Sequence, residues 1–162
     1  MATESLQDLY ITELKDAFSA EQQILKALPK MEKEASDAEL QNAFREHRQV
    51  TEEHVRRLEH IMERYNEKPK GKKCKGMEGI IEEGEEMMKQ SNGEARDAAL
   101  ISVAQRVEHY EMAMYGALRT YANQLGRTED ATLLQRTLNE EGDADKHLTY
   151  IAESRVNQDA IA

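Results

Sequence analysis

The chain has 162 residues, which is the size of one ordinary domain and is enough to bury a sizeable core. Hydrophobic residues make up 39% of it and charged residues 33%, a balance typical of long amphipathic helices. With 8 Gly, 2 Pro and no Trp, a turn-rich β architecture is disfavoured, and we predict an all-α fold. The net charge of −10 would repel phosphates, so we expect no binding to nucleic acid or to an anionic membrane.

Two further features limit the class of protein. The sequence contains no run of about 18–20 apolar residues and no apolar signal core near its start, so we expect no membrane span and no signal peptide. Cys74 is the single cysteine, which excludes an intramolecular disulfide and most thiolate metal sites. A cytoplasmic location is the default expectation.

The first long helix is predicted over about residues 5–34. Ser5 and Asp8 have the spacing of a capping box, which marks its start. Pro29 should kink this helix or end its regular part, because proline cannot donate the backbone hydrogen bond and its ring crowds the preceding turn.

The second long helix is predicted over about residues 38–66. Ser36 and Asp37 offer caps for its start, and it should end before Pro69. The lysine-rich segment 68–75 follows and does not have the pattern of a regular element.

The second half of the chain is predicted to hold one short helix and two long ones. The short amphipathic helix spans about 77–90, and the next long helix spans about 94–125, with Gly126 just after its end. Thr128 can cap the last long helix, about 129–156.

The order of these elements predicts the architecture. Two helical hairpins are joined by a connection of roughly 28 residues, and a hairpin, a long crossover and a second hairpin are the connectivity of ferritin-like four-helix bundles. The short helix would then lie on the outside as part of the crossover. We expect residues 1–162 to form a single ferritin-like domain.

Steps of three and four residues along each long helix trace the side chains that should face the bundle interior. Each of these stripes is apolar at both ends and polar in the middle. The polar members, which we call the polar belt, are Glu21, His47, His54, Glu108, Glu111, Glu141 and Asp145.

The belt lies at a matched depth in both hairpins. Glu21 and Thr51 each lie 15 residues from the first interhelical turn, and Glu111 and Glu141 each lie 15 residues from the second. At about 1.5 Å per residue, each is roughly 22 Å from its turn. Four antiparallel helices would place them in one layer, provided that the two hairpins are in register with each other.

Five carboxylates and two imidazoles in one layer predict a metal site. Each desolvated ion costs several kcal/mol unless it is paired, and two divalent cations would neutralise the layer more completely than protonation or water. Oxygen-rich ligands with a few imidazoles favour iron or manganese. Glu108 and Glu111, at i and i+3, could hold or bridge two ions, and so could Glu141 and Asp145, at i and i+4.

Structural roles remain open for individual members of the stripes. His47 could be a core histidine that is bonded to Tyr115 or to a carboxylate. Thr51 could bond its own helix backbone. The lysine-rich segment with Cys74 is interpreted as a solvated basic loop, although it could also touch nucleic acid or carry a redox thiol.

Several stretches resemble the YciE/YciF family of ferritin-like bacterial stress proteins, and together they cover nearly the whole chain. The stretches are FSAEQQILKALPKM (18–31), KCKGMEGIIEEG (73–84), RDAALI (96–101) and VEHYEMAMYGAL (107–118). The resemblance implies a ferritin-like bundle with an extra crossover helix, and a homodimer. It also implies ferroxidase-like activity, with which the family is often labelled. It also implies that the belt's five carboxylates occupy the family's inward acidic positions.

The second long helix departs from the family pattern. This chain has Val50 where the family tends to carry an acidic residue, and His54 where the family often has Gln. No Glu-x-x-His pair occurs on the second or the last long helix. One carboxylate is missing at this site, and His54 would compensate for it.

These observations lead to one functional hypothesis and two rivals. We expect a di-metal centre of two iron ions, or manganese, that reacts with dioxygen or peroxide, with Tyr115 beside it as a hydrogen-bond donor or a redox-active neighbour. The first rival is a non-enzymatic helical stress protein with a degraded or empty site. The second rival is DNA protection, which only the lysine-rich segment 68–75 supports.

Overall fold

The computed structural model describes residues 2–161, which contain five main helices and no β-strand. The helices are α1 (Leu6–Glu34), α2 (Ala38–Glu63), α3 (Lys75–Gln90), α4 (Glu94–Gln124) and α5 (Thr128–Ile151). A π-helical turn (Ala152–Val156) and a short helix (Asn157–Asp159) continue α5. The pairs α1–α2 and α4–α5 form the two hairpins of the bundle, and α3 packs on α4 and α1. The prediction of an all-α ferritin-like bundle with an extra crossover helix is confirmed.

Local sequence signals set several of the helix ends. The capping box at the start of α1 is formed, because the Asp8 amide donates to Ser5 Oγ at 3.1 Å and the Ser5 amide donates to Asp8 Oδ2 at 3.1 Å. Asp37 caps α2 by accepting the amide N–H of Leu40 at 2.9 Å. Gly126 has a φ of +71°, the left-handed conformation that ends a helix, as predicted.

In the first half of the chain, other features of the helices differ from the predictions. Helix α1 continues through Pro29 to Glu34. Helix α2 ends at Glu63, three residues early, because the chain turns at Asn66 with a φ of +54°, which asparagine tolerates better than most residues. Helix α3 begins at Lys75, because its cap residue Cys74 is bound to α1: its amide donates to Ser19 Oγ at 2.8 Å and its carbonyl accepts from Gln23 at 3.0 Å.

The last long helix also differs at both ends. Thr128 is the first helical residue and not the cap, since Arg127 accepts the amide of Ala131 at 3.0 Å and makes no side-chain cap. The α-helical part ends at Ile151 and gives way to the π-helical turn, where the expected helix ran on to residue 156.

One buried aspartate at each end of the bundle ties the two hairpins together. The carboxylate of Asp97, on α4, accepts the backbone amides of Ser36 and Asp37 at 2.8 Å and 2.7 Å, in the α1–α2 turn. At the opposite end, Asp130 accepts hydrogen bonds from Tyr10, at 3.1 Å, and from Tyr65, and pairs with Arg64. These contacts fix the register of the two hairpins, the condition that the sequence left open.

The apolar core is split into two clusters, one on each side of the polar belt. One cluster includes Ile24, Phe44 and Leu148, toward the end of the bundle with Asp97. The other includes Leu14 and Leu118, toward the end with Asp130. None of the helices in the described part of the chain is both long and apolar enough to cross a membrane.

Replacing Asp97 with Ala should lower the free energy of unfolding by about 2–4 kcal/mol, because two backbone amides lose a charged acceptor. Asp97→Asn should lose less, since its amide oxygen can still accept one of the two. Urea denaturation measures the change, and Asp143→Ala, at an exposed position of α5, is the control. An Asp97→Ala protein within about 0.5 kcal/mol of the wild type would contradict this role.

Candidate metal centre

Six of the seven belt residues meet in one layer of the bundle interior. Each helix of the bundle contributes, so that no single helix could form the site alone. The six are Glu21 from α1, His47 and His54 from α2, Glu108 and Glu111 from α4, and Glu141 from α5. Four of them have no solvent exposure, Glu108 is 3% exposed and His47 is 9% exposed.

The first cluster consists of His47, Glu108, Glu111 and Glu141. One ligand atom from each lies within 4.8 Å of the others. His47 Nε2 is 3.1 Å from Glu108 Oε1 and 3.6 Å from Glu141 Oε2. This group offers three carboxylates and one imidazole to a cation.

The second cluster consists of Glu21, His54 and Glu141. His54 Nδ1 is 2.9 Å from Glu141 Oε1 and 3.3 Å from Glu21 Oε1. Glu141 belongs to both clusters, with Oε2 directed toward His47 and Oε1 toward His54. The two clusters therefore have the arrangement of a pair of ion sites with one carboxylate between them.

The donor atoms of the belt fit cations better than they fit one another. Eleven buried side-chain N and O atoms lack a hydrogen-bond partner among the described residues, and nine of them belong to the belt. The His–Glu contacts span 2.9–3.6 Å without the geometry of hydrogen bonds. Neighbouring ligands of an octahedral ion lie about 3 Å apart when each is about 2.1 Å from it. The belt therefore contains two groups of donor atoms, each of which could hold a metal ion.

Without a metal ion, the belt holds protons. Burial, followed by the charge of Glu141, raises the pKa values of Glu108 and Glu111 well above the usual range. Burial would also raise the pKa of Glu141, but the adjacent Glu108 and the positive charge of the nearby His54 outweigh it and keep that pKa below the usual range. Burial disfavours the charged form of His54, yet Glu141 and Glu21 together raise its pKa to about 10. Cations that bind here would displace these protons.

A charged network holds the outer edge of the His54 ring. His54 Nε2 lies 2.9 Å from Glu140 Oε2, and Arg57 donates to both oxygens of Glu140 at 2.7 Å and 3.1 Å. Arg57 also donates to Thr137 at 3.0 Å. With Nε2–H donating to Glu140, Nδ1 of His54 faces Glu21 and Glu141 and would offer its lone pair to a cation once it has lost its proton, as in carboxylate–histidine–metal triads.

Sequence analysis did not single out Arg57 or Glu140, because both lie beside the interior stripes. Both residues flank the interior stripe of their helix, and oppositely charged residues at such positions often pair between helices. This pattern could have indicated the Arg57–Glu140 pair. Arg57 is only 6% exposed, which its sequence position did not predict.

Tyr115 lies beside the second cluster. It is 1% exposed, and its hydroxyl donates to Glu21 Oε1 at 2.5 Å. Burial and the charge of Glu21 raise the pKa of this phenol well above its ordinary value, so it stays protonated. His47 contacts Glu108 and Glu141, and not Tyr115. Thr51 donates to the His47 carbonyl at 2.8 Å, within its own helix.

Asp145 is the belt residue that the structure leaves outside both clusters. Its side chain is 18% exposed, and Oδ2 lies 3.2 Å from Nε2 of the exposed His109. Its other oxygen, Oδ1, is buried and has no hydrogen-bond partner among residues 2–161. Asp145 follows Glu141 by four residues, which predicted that the two side chains share a face of α5. One turn further along the helix, however, the side chain is partly exposed and does not reach either cluster.

Replacing Glu111 with Leu should stabilise the metal-free protein by about 1–3 kcal/mol, because a desolvated carboxyl group is removed. Because the pKa of Glu111 is raised in the folded protein, this residue lowers the free energy of unfolding of the wild type as the pH rises above the ordinary glutamate value of 4.5. The variant lacks this contribution of Glu111. The difference between the two should therefore widen from pH 4.5 to 8. Urea denaturation in EDTA measures it, with Glu52→Leu, at an exposed position, as the control. A destabilised variant, or a difference that does not vary with pH, would contradict this account.

Replacing Glu140 with Ala should weaken metal binding by about 10–100-fold, because His54 loses the group that orients its ring. Competition titration with Mn(II) and a chelator measures the change. Glu52→Ala removes an exposed carboxylate from α2 and should leave the affinity unchanged. Equal affinities for the two variants would argue that Glu140 only stabilises the fold.

Comparisons with known proteins agree with the fold and identify the family. Residues 5–161 match the family described as a domain of unknown function, DUF892. The chain is 43% identical to protein YciF of Escherichia coli (strain K12), over 99% of this chain and 98% of that protein.

Solved structures with a similar fold include three with TM-scores between 0.74 and 0.91. The crystal structure of the E. coli stress protein YciF matches with a TM-score of 0.91, over 96% of this chain and 99% of that chain. The YcfI protein of Rhodopseudomonas palustris, which is proposed to be structural, is 36% identical and matches with a TM-score of 0.88, over 90% and 94% of the two chains. A Xanthomonas campestris protein that is 17% identical shares the fold, with a TM-score of 0.74, over 97% and 100% of the two chains. The chain therefore belongs to the DUF892 family, the YciE/YciF family of ferritin-like bacterial stress proteins.

Proposed function

We propose that this protein is a di-metal carboxylate protein whose belt binds two ions of iron or manganese. The observation that carries the proposal is the sharing of Glu141 between two clusters of buried, unpartnered donor atoms. His47, Glu108 and Glu111 would complete the site of one ion, and Glu21 and His54 that of the other. Carboxylate oxygens with one imidazole per ion are ligands that suit these metals.

The proposed activity is oxidation of the bound ions by dioxygen or peroxide. The metal would supply one-electron chemistry, while the protein supplies binding, orientation and a dry environment. A stress-protective role is supported by the 43% identity to a protein described as the E. coli stress protein YciF.

The protein's own groups have distinct roles in this proposal. Glu108 and Glu111 give up their protons when cations enter, which couples binding to pH. Glu140 and Arg57 hold His54 so that Nδ1 faces the centre. The phenol of Tyr115 donates to Glu21 and fixes which oxygen of that carboxylate is free for a cation.

Single substitutions should separate the two ion positions. Wild-type protein should bind about two Mn(II) per chain, His47→Ala and His54→Ala about one each, and Glu141→Ala none at comparable affinity, because only Glu141 is shared. Elemental analysis after equilibrium dialysis measures the stoichiometry. His60→Ala, at an exposed position of α2, is the control and should bind as the wild type does. Wild-type protein without stoichiometric metal, or a Glu141→Ala variant that still binds two ions, would overturn the proposal.

The oxidation step has its own test. Anaerobic Fe(II)-loaded protein is mixed with dioxygen or with peroxide, and the absorbance of Fe(III) is followed. We expect protein-bound Fe(II) to be oxidised faster than free Fe(II). This acceleration should be lost in Glu141→Ala and retained in His60→Ala. Two bound ions without faster oxidation would favour the rival, a non-enzymatic helical protein, for which Val50 at an expected acidic position is the supporting observation.

A further inference from the structure

A cavity of about 780 Å³ lies in the half of the bundle between the belt and the end with Asp97. Its walls are mostly apolar and come from all five main helices. Ile24, Leu28, Phe44, Leu100, Val103 and Leu148 are among the lining residues. Exposed side chains such as Lys26 and Lys30 also line it, so the cavity reaches the surface.

Small side chains keep this space open. Ala27, Ala43, Ala104 and Ala144 face it from α1, α2, α4 and α5, one from each helix of the bundle. Protein interiors are normally packed with few voids larger than a water molecule. A volume of 780 Å³ is instead within the range of ligand pockets, about 300–1,000 Å³. We take the cavity to be a binding site and not a packing defect.

The charged groups of the cavity are unevenly distributed. At its inner end are His47 and Glu108 of the belt. At the surface, α2 and α5 contribute mainly acidic side chains, including Glu46 and Asp143. The side of α1 and α3 contributes two carboxylates, Glu34 and Glu85, but lysines outnumber them there. We define the lysine rim as Lys26 and Lys30 of α1, Lys89 of α3 and Lys73 of the loop before α3.

Part of the lysine rim has no internal counter-charge. Lys73 pairs with Glu78 at 2.6 Å and Lys30 with Glu85 at 3.7 Å. Within residues 2–161, no carboxylate lies within 4.0 Å of the amine of Lys26 or of Lys89. An apolar pocket with cations on one rim is complementary to a hydrocarbon chain with an anionic head.

We propose that the cavity binds a straight-chain carboxylic acid of fatty-acid type. The hydrocarbon chain occupies the apolar space, and the carboxylate lies at the lysine rim, away from the acidic side of α2 and α5. The chain end points inward, toward His47 and Glu108. Binding of this ligand needs no metal, so the inference stands or falls independently of the proposed function.

Calorimetric titration of EDTA-treated protein with saturated acids of 8–16 carbons, below their micelle concentrations, tests the proposal. Affinity should rise about fourfold per added methylene until the cavity is full, and then level off, with one ligand per chain. Ala104→Phe fills the cavity from α4 and should bind at least about tenfold more weakly, and Ala144→Leu fills it from the opposite wall. Ala113→Leu, on the exposed face of α4, should bind as the wild type does.

The head group is tested with the matched primary alcohols. The charge-reversing variant Lys26→Glu/Lys89→Glu should lower the affinity for the acids by about three- to tenfold and leave that for the alcohols unchanged. If the acids bind this variant as tightly as they bind the wild type, as the alcohols are expected to do, the proposed position of the head group would be overturned. Binding that survives both Ala104→Phe and Ala144→Leu, or no binding by the wild type at any chain length, would overturn the site itself.

Discussion

Glu141 is fully buried between two groups of acidic and imidazole side chains, and its desolvation is the main electrostatic constraint on the core. Its two carboxylate oxygens face in different directions, one toward His47 and one toward His54, and neither has a hydrogen-bond partner in the described chain. A desolvated carboxylate costs several kcal/mol unless positive charge compensates it. Protonated Glu108 and the charged ring of His54 supply that compensation in the metal-free protein, and cations would replace it. Folding therefore brings together buried donor atoms that could hold cations.

A core interrupted in this way needs support from elsewhere. The apolar clusters on either side of the belt supply it, together with the two buried aspartates at the ends of the bundle. Asp97 holds the α1–α2 turn and Asp130 holds tyrosine and arginine side chains at the opposite end. Because both act across hairpins, they keep donors from four helices at one depth. Precise positions of ligands and the stability of the bundle thus come from the same long-range contacts.

The belt is also asymmetric. His54 is held from outside by Glu140 and Arg57, and Glu21 is held by Tyr115, so the second cluster is well oriented. The first cluster borders the apolar cavity through His47 and Glu108, with Val50 among the cavity's lining residues. The family resemblance predicted an acidic residue at this position, and the apolar side chain of Val50 lies in the cavity wall instead.

Helical periodicity and local caps are properties of neighbouring residues, so the all-α class, the two hairpins with their crossover helix, and the polar stripes on four helices could be predicted from the amino-acid sequence. The sequence could not show that Glu141 is shared, that Arg57 and Glu140 hold His54, or that Asp145 lies outside both clusters. Each of those outcomes depends on the register and rotation of one hairpin against the other, which is set by contacts such as Asp97 with the turn at Ser36, 61 residues away in the chain. The cavity has the same origin, since four alanines on separate helices leave a common space only once the helices are packed.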